Sequence, residues 1–243
     1  MRLTRCHVDA PLVVGASLAL PETAANHLAR VLRLREGDAC VVFNGDGHDY
    51  DARISAIGKR EVRAEIIAAR SVDNESPLHV TLLQGVARGE KMDLILQKAT
   101  ELGVAAVVPV MAERTEVKLD AERAEKRMAH WRSVIASACE QSGRARLPTL
   151  SAPAALVDAA RTVGADTTKL TLDPTGEVSL ATVQIAGGAV VVAIGPEGGW
   201  SPRDRATLSS AGFTGLRLGP RILRTETAGL AAIAALQSRF GDL

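Results

Sequence analysis

Near its C-terminus the chain twice runs an apolar segment straight into a glycine-proline turn. Ala189-Val190-Val191-Val192-Ala193-Ile194 leads into Gly195-Pro196-Glu197-Gly198-Gly199, and Leu216-Arg217-Leu218 leads into Gly219-Pro220-Arg221. Short apolar, β-branched runs of this kind read as strands buried on both faces. Helical sequence follows each turn. Open α/β sheets bind small molecules beyond the carboxyl ends of their strands, so two such turns can wall one pocket. Glycine there lets backbone N–H and C=O groups approach a ligand closely.

The sequence before these turns supports an α/β reading. From residue 78 strands and helices alternate, which predicts a mainly parallel sheet covered by helices. His79–Val86 and Ala105–Met111 are strands. Between them Met92, Ile95, Ala99 and Leu102 share one helical face, and Gly103 stands where a helix would stop. A long helix is expected over Asp120–Ser142, with Ala124, Met128, Trp131, Ile135 and Ala138 on one stripe. Further strands are expected at Lys169–Leu172, Ala189–Ile194 and Thr214–Leu218. Ser201-Pro202-Arg203-Asp204 is a helix start with a capping box. The last helix begins near Thr225 and is apolar all round, so it is buried on every side or lies in a subunit interface.

The first seventy or so residues read differently. Ala39–Phe43 is a strand, and Asn44-Gly45-Asp46-Gly47 is a hairpin turn because Asn and Gly tolerate positive φ. Asp49–Ser55 returns, and Glu61–Ile66 alternates polar with apolar as a half-buried strand does. One helix is expected over Ala24–Leu34. This pattern resembles a small barrel of the kind found in RNA-binding modules. Ser71–Pro77 is polar, aperiodic and ends in proline, so it reads as a linker. The domains expected are therefore 1–72 and 73–243.

Composition narrows the function classes. A formal net charge of +1 announces no nucleic-acid partner, although a local basic patch is compatible with it. The three cysteines, Cys6, Cys40 and Cys139, form no CxxC pair, which points to a reducing cytoplasm. No long apolar stretch follows Met1–Arg5, so neither a signal peptide nor a membrane span is expected. The five histidines are scattered without metal-ligand spacing, and no metal is expected. The glycine turns are neither a Walker loop nor a dinucleotide fingerprint, and no nucleophile elbow is present. At Arg224-Thr225-Glu226-Thr227, capping by Thr225 and dipole complementation by Glu226 explain two residues. Arg221 and Arg224 stay unexplained beside a positive helix end unless something anionic lies near. The cations of Gly143-Arg144-Ala145-Arg146 fit either a helix C-terminus or the wall of an RNA or cofactor site.

Five segments together carry a resemblance to a known family: Arg88-Gly89-Glu90-Lys91-Met92, Lys98–Val104, Glu140–Arg144, Ile194–Gly199 and Leu218–Ala228. With Asn26-His27-Leu28 and Arg30-Val31-Leu32-Arg33, this chain resembles the RsmE family of bacterial 16S rRNA uridine-N3 methyltransferases, in the SPOUT superfamily. The resemblance covers essentially the whole chain. It implies an α/β SPOUT fold with a trefoil knot, one of the rare exceptions to unknotted topology, and a PUA-like first domain that helps to grip rRNA. It implies S-adenosylmethionine as cofactor and a homodimer joined at the knot and terminal helix. The substrate implied is a uridine of 16S rRNA in the assembled 30S subunit. Leu172, Gly195, Pro196, Glu197, Gly198, Gly199, Leu218, Gly219, Ile222, Leu223, Thr227 and Ala228 are the cofactor-binding candidates. Arg221, Arg224 and Glu226 are the catalytic candidates. Arg2, Arg5, Arg30, Arg33, Arg35 and Arg144 are the RNA-binding candidates. A methyltransferase acting on another RNA and a non-catalytic RNA-binding assembly factor are the competing readings.

Overall fold

The computed structural model describes residues 3–58, 61–118 and 120–243, and the side chains among them except those of His27 and Val31. Two compact units emerge. The first comprises Met1–Glu75 with Ala136–Leu147, and the second Ser76–Ile135 with Pro148–Leu243.

The first unit holds β1 (Arg5–His7), β2 (Ser17–Ala19), α1 (Glu22–Asn26), β3 (Ala39–Phe43), β4 (His48–Ile57) and β5 (Val62–Ser71). Its five strands lie in the order β1-β3-β4-β5-β2. Only the β1–β3 pair is parallel. The β4–β5 ladder shifts register between Asp51 and Ala52 and again between Ile54 and Ala56. Such bulges bend a strand pair and raise its twist. Leu28, Cys40, Val42, Ile54, Ala64 and Ile66 are buried in the core behind it. The expected helix over Ala24–Leu34 is instead the short α1 followed by one π-helical turn, His27–Val31. Leu34 N–H then donates to Leu28 C=O, and Arg33 takes φ 56°. The wide turn buries Ala24, Ala25 and Leu28 on one core.

The second unit holds β6 (His79–Gly85), α2 (Glu90–Glu101), β7 (Ala106–Met111), most of α3 (Ala121–Ser142), β8 (Thr149–Leu150), β9 (Ala154–Ala155) and α4 (Leu156–Thr162). It continues with β10 (Thr168–Leu172), β11 (Val178–Ser179), β12 (Ala189–Ile194), α5 (Pro202–Ser210), β13 (Thr214–Arg217) and α6 (Thr225–Phe240). Its eight-stranded sheet has the order β11-β13-β10-β12-β6-β7-β8, with β9 also on β7. Every pair is parallel. Val80, Leu82, Val190, Val192 and Ala193 have no exposed surface, as strands covered on both faces require. After β12 the chain crosses past β10 to place β13 on its far side, so the winding reverses there.

Local chemistry sets the helix ends. Ser201 Oγ accepts from Asp204 N–H while Asp204 Oδ2 accepts from Ser201 N–H, the capping box read from the sequence. Asp120 Oδ1 accepts from Arg123 N–H to open α3. Along α6 Ala228, Gly229, Ala232, Ile233, Leu236 and Gln237 are buried, whereas Leu230, Ala231, Ala234 and Ala235 are half-buried.

The sequence placed a domain boundary at 72/73 and gave all of α3 to the second domain. In the structure Ala136–Leu147 belongs to the first unit. The reason is polar. Arg5 donates to Cys139 C=O at 2.6 Å and to Arg144 C=O at 3.1 Å, and His7 N–H donates to Glu140 Oε1.

Candidate active site

A cavity of about 380 Å³ opens beyond the carboxyl ends of β10, β12 and β13. Three segments build most of it. Leu172-Asp173-Pro174 closes β10, Ile194 to Trp200 forms the turn after β12, and Leu216 to Ala228 carries β13 into α6. Gly199 holds its corner at φ 65°, where its N–H donates to Pro196 C=O at 2.8 Å. Trp200 is buried against the cavity, and its indole N–H donates to Thr171 Oγ1 at 3.0 Å.

Charged groups ring this apolar space. Asp173 Oδ1 accepts from Thr175 N–H and Thr175 Oγ1, and Asp173 Oδ2 accepts from Arg205 at 2.9 Å. The Thr175 backbone bond, first among these, holds the Asp173 carboxyl below its usual range. Glu197 Oε1 accepts from Arg88 N–H at 3.0 Å, with Lys91 Nζ 3.5 Å away. Burial, the largest single influence, pushes the Glu197 carboxyl up. The Arg88 and Glu197 N–H groups and the Lys91 ammonium outweigh it, so the net shift is downward. The first glycine turn thus anchors the start of α2.

The three catalytic candidates line this same cavity. Arg221 and Arg224 are exposed, and neither side chain makes an ion pair or hydrogen bond with another described residue. Glu226 Oε2 is buried without a hydrogen-bond partner among the described residues. Thr225 does not cap α6. The N-cap is Arg224, with no side-chain cap bond, and the Thr225 hydroxyl reaches Gly195 C=O at 2.6 Å instead.

Of the cofactor-binding candidates, Leu172, Gly195, Pro196, Glu197, Gly199, Leu218, Gly219, Ile222, Leu223 and Ala228 line the cavity. Gly198 and Thr227 do not. Gly198 C=O accepts from Arg114 at 3.1 Å, and Thr227 points to solvent one position past Glu226. Lys91, Asp173, Trp200, Arg205 and Thr225 also line it and were not among the candidates. One signal for Asp173 was present: Asp173-Pro174 ends a strand much as Gly195-Pro196 does.

The RNA-binding candidates separate. Arg30, Arg33 and Arg35 are exposed around the π turn, and Arg2 lies outside the described residues. Arg5 and Arg144 are 7% and 5% exposed, which corrects their assignment to an RNA surface. Arg5 pairs with Asp49 at 2.6 Å and lies 4.3 Å above the Phe43 ring. Arg144 Nε donates to Glu75 Oε1 at 3.1 Å. A buried guanidinium needs such partners, and these cations are used in holding the first unit together. Among the described residues no group of three metal-ligating side chains converges, and no helix is long and apolar enough to cross a membrane.

Fold and pocket together define a class, and comparison with known proteins gives the same one. Residues 74–237 match the RNA methyltransferase domain family, and residues 20–67 match the RNA methyltransferase PUA domain family. A ribosomal RNA small subunit methyltransferase E of Neisseria gonorrhoeae, solved with S-adenosylmethionine, superposes with a TM-score of 0.91 at 40% identity over 100% of both chains. A protein of Legionella pneumophila, also solved with that cofactor, gives 0.96 at 37% identity over 100% of both. The ribosomal RNA small subunit methyltransferase E of Buchnera aphidicola from Schizaphis graminum is 30% identical, over 100% of this chain and 98% of its own. The chain belongs to the ribosomal RNA small subunit methyltransferase E family.

Proposed function

We propose that this protein transfers a methyl group from S-adenosylmethionine to N3 of a uridine in 16S rRNA, in the assembled 30S subunit. One observation carries the reading: two glycine turns, two arginines and a buried carboxylate oxygen, these last three without a partner among the described residues, surround one cavity. The residues suit the cofactor. The space falls in the size range of small-molecule sites, Leu172, Leu218 and Trp200 offer apolar contact, and the glycine turns bring main-chain groups to the wall. The orphaned Glu226 oxygen needs a ligand donor or a cation there.

When bound, the cofactor supplies an electrophilic methyl on a sulfonium. The protein's tasks are alignment and charge. Leu172, the Gly195–Gly199 turn and the Leu218–Leu223 loop hold the donor, which turns a bimolecular encounter into an aligned one. Uracil N3 must lose its proton before or during attack. Glu226 accepts that proton, and Arg224 with Arg221 stabilises the negative charge that develops on the uracil ring. Gly198 serves the turn through Arg114 and Thr227 serves α6, so neither is needed as a direct contact.

The exposed arginines at Arg30, Arg33 and Arg35 hold rRNA phosphates, which orient the substrate without reading bases. The half-buried face of α6 at Leu230, Ala231, Ala234 and Ala235 is covered by a second copy in a homodimer. The trefoil threading and a cytoplasmic location belong to the same reading. The three cysteines are unpaired and buried, in keeping with a reducing compartment.

The test is mass spectrometry of 16S rRNA from cells with and without the protein. One uridine should lose a base methyl. Calorimetry should show S-adenosylmethionine binding, and Arg224→Ala should lower methyl transfer far more than it lowers that binding. A methyl missing from another RNA would favour the alternative substrate. Absence of cofactor binding would favour an assembly factor.

A further inference from the structure

Gln84, at the end of β6, is fully buried, and its side chain makes hydrogen bonds toward the cavity walls without lining the cavity itself. Its Nε2 lies 2.9 Å from Gly85 C=O and 2.9 Å from Thr225 Oγ1. Gly85 C=O can only accept, so the atom facing it must be the amide nitrogen. Thr225 Oγ1 therefore accepts from Gln84, and its own proton goes to Gly195 C=O, 2.6 Å away and likewise only an acceptor. The direction of the chain is fixed: Gln84 donates to Thr225, and Thr225 donates to Gly195.

This relay joins the end of β6, the turn after β12, and the first residue of α6. Gln84 stands opposite Ile194 in the β6–β12 ladder, so one end of the relay is held by the sheet. Thr225 sits between Arg224 and Glu226. A one-residue anchor buried to 7% exposure thus sets where both neighbours stand relative to the glycine turn. Relays of this kind inside a low-dielectric core are strengthened by mutual polarisation.

We infer that Thr225 is a positioning residue of this site, its hydroxyl fixing the start of α6, and with it Arg224 and Glu226, against the Gly195 turn. This rests on the functional reading above for its catalytic consequence, but not for its geometry. Thr225→Val keeps the shape and removes the hydroxyl, so Gly195 C=O loses its proton donor and Gln84 Nε2 is left with Gly85 C=O alone. Thr225→Ser keeps the relay.

Single-turnover methyl transfer by Thr225→Val should fall about 10- to 100-fold, the cost of a small misplacement of reacting groups. The dissociation constant for S-adenosylmethionine should change much less. Thr225→Ser should restore the rate, and in an Arg224→Ala background Thr225→Val should cost far less than alone. Amide hydrogen exchange on the cofactor-free protein gives a readout independent of chemistry. Exchange at Thr227, Ala228 and Gly199 should quicken in Thr225→Val and not in Thr225→Ser.

Equal loss of rate and cofactor affinity, full additivity with Arg224→Ala, or unchanged exchange would overturn the inference. A wild type that binds no cofactor, while exchange still responds to Thr225→Val but not to Thr225→Ser, would overturn the proposed function and leave the positioning role standing.

Discussion

Gly85→Ala separates close packing from ordinary loss of a glycine. Gly85 ends β6 where the Gly195–Pro196 peptide presses on it. A Cβ there would lie within 2.6 Å of Pro196 Cδ and 2.8 Å of Gly195 C, and closer still to Pro196 N. These are ring and main-chain atoms, so relief requires the whole turn to move. Overpacking of a tight core costs about 1–3 kcal/mol. The φ of Gly85 is not in the left-handed region, so alanine also reduces the freedom of the unfolded chain, worth about 0.4–1 kcal/mol in its favour. The net loss is then at most about 2.6 kcal/mol, centred near about 1, and at about 2–4 °C per kcal/mol it lowers Tm by several degrees. The same displacement moves a wall of the cofactor cavity, so S-adenosylmethionine should bind more weakly by calorimetry. Gly229→Ala, inside α6, is the control. Its Cβ would meet Gln84 Oε1 at 3.4 Å and Ile194 Cγ1 at 3.6 Å, which is ordinary contact. Removing a glycine from a helix interior favours the fold by about 0.8–1.0 kcal/mol. Tm should therefore hold or rise. A Gly85→Ala protein with wild-type Tm and wild-type cofactor affinity would refute the close-approach argument.

Three further outcomes follow from charge. The Glu197 carboxyl is held below its ordinary value of 4.5, so its contribution is full above that pH and is lost as pH falls through the lowered value. Thermal melts between pH 3 and pH 7 should show Glu197→Gln less stable than wild type at neutral pH, with the gap closing in acid; a constant gap would count against it. Arg5→Ala should cost about 3 kcal/mol, at the lower end for a broken buried pair because Arg70 still reaches Asp49 at 2.9 Å. Arg30→Ala should leave stability within about 0.5 kcal/mol. It should instead reduce the slope of log affinity for rRNA against log salt by roughly 0.7–0.9, one phosphate contact. Comparing denaturant midpoints with RNA titrations at several salt concentrations checks both.

The elements legible in the sequence are those whose signal is local. Ala189–Ile194 is a strand residue for residue because a continuous apolar run between polar turns has few other uses. The start of α5 was readable because a capping box is a four-residue device. The site was legible where glycine and proline mark the turns. It was not legible at Trp200, Thr225 and Lys91, whose roles come from neighbours far along the chain. Gln84 and Thr225 are 141 residues apart. Arg5 failed for the same reason. A lone arginine beside Cys6 looks like surface until Asp49, 44 residues on, and the carbonyls of Cys139 and Arg144 are seen around it. The π turn at His27–Val31 spans only five residues, too few for its wider spacing to show as a period different from an ordinary helix. Strands of two or three residues, such as β8 and β11, are too short to have a period.

The first unit's discontinuity has a practical outcome for dissecting the protein. A fragment stopped at Glu75 would keep Arg5 and Asp49 but forfeit the main-chain acceptors at Cys139 and Arg144. It would also strip Glu75 of its guanidinium. A shortened piece meant to report on RNA affinity must therefore carry 136–147 grafted through a tether. Without that graft, weak binding would measure a half-built scaffold, not the grip of its surface arginines.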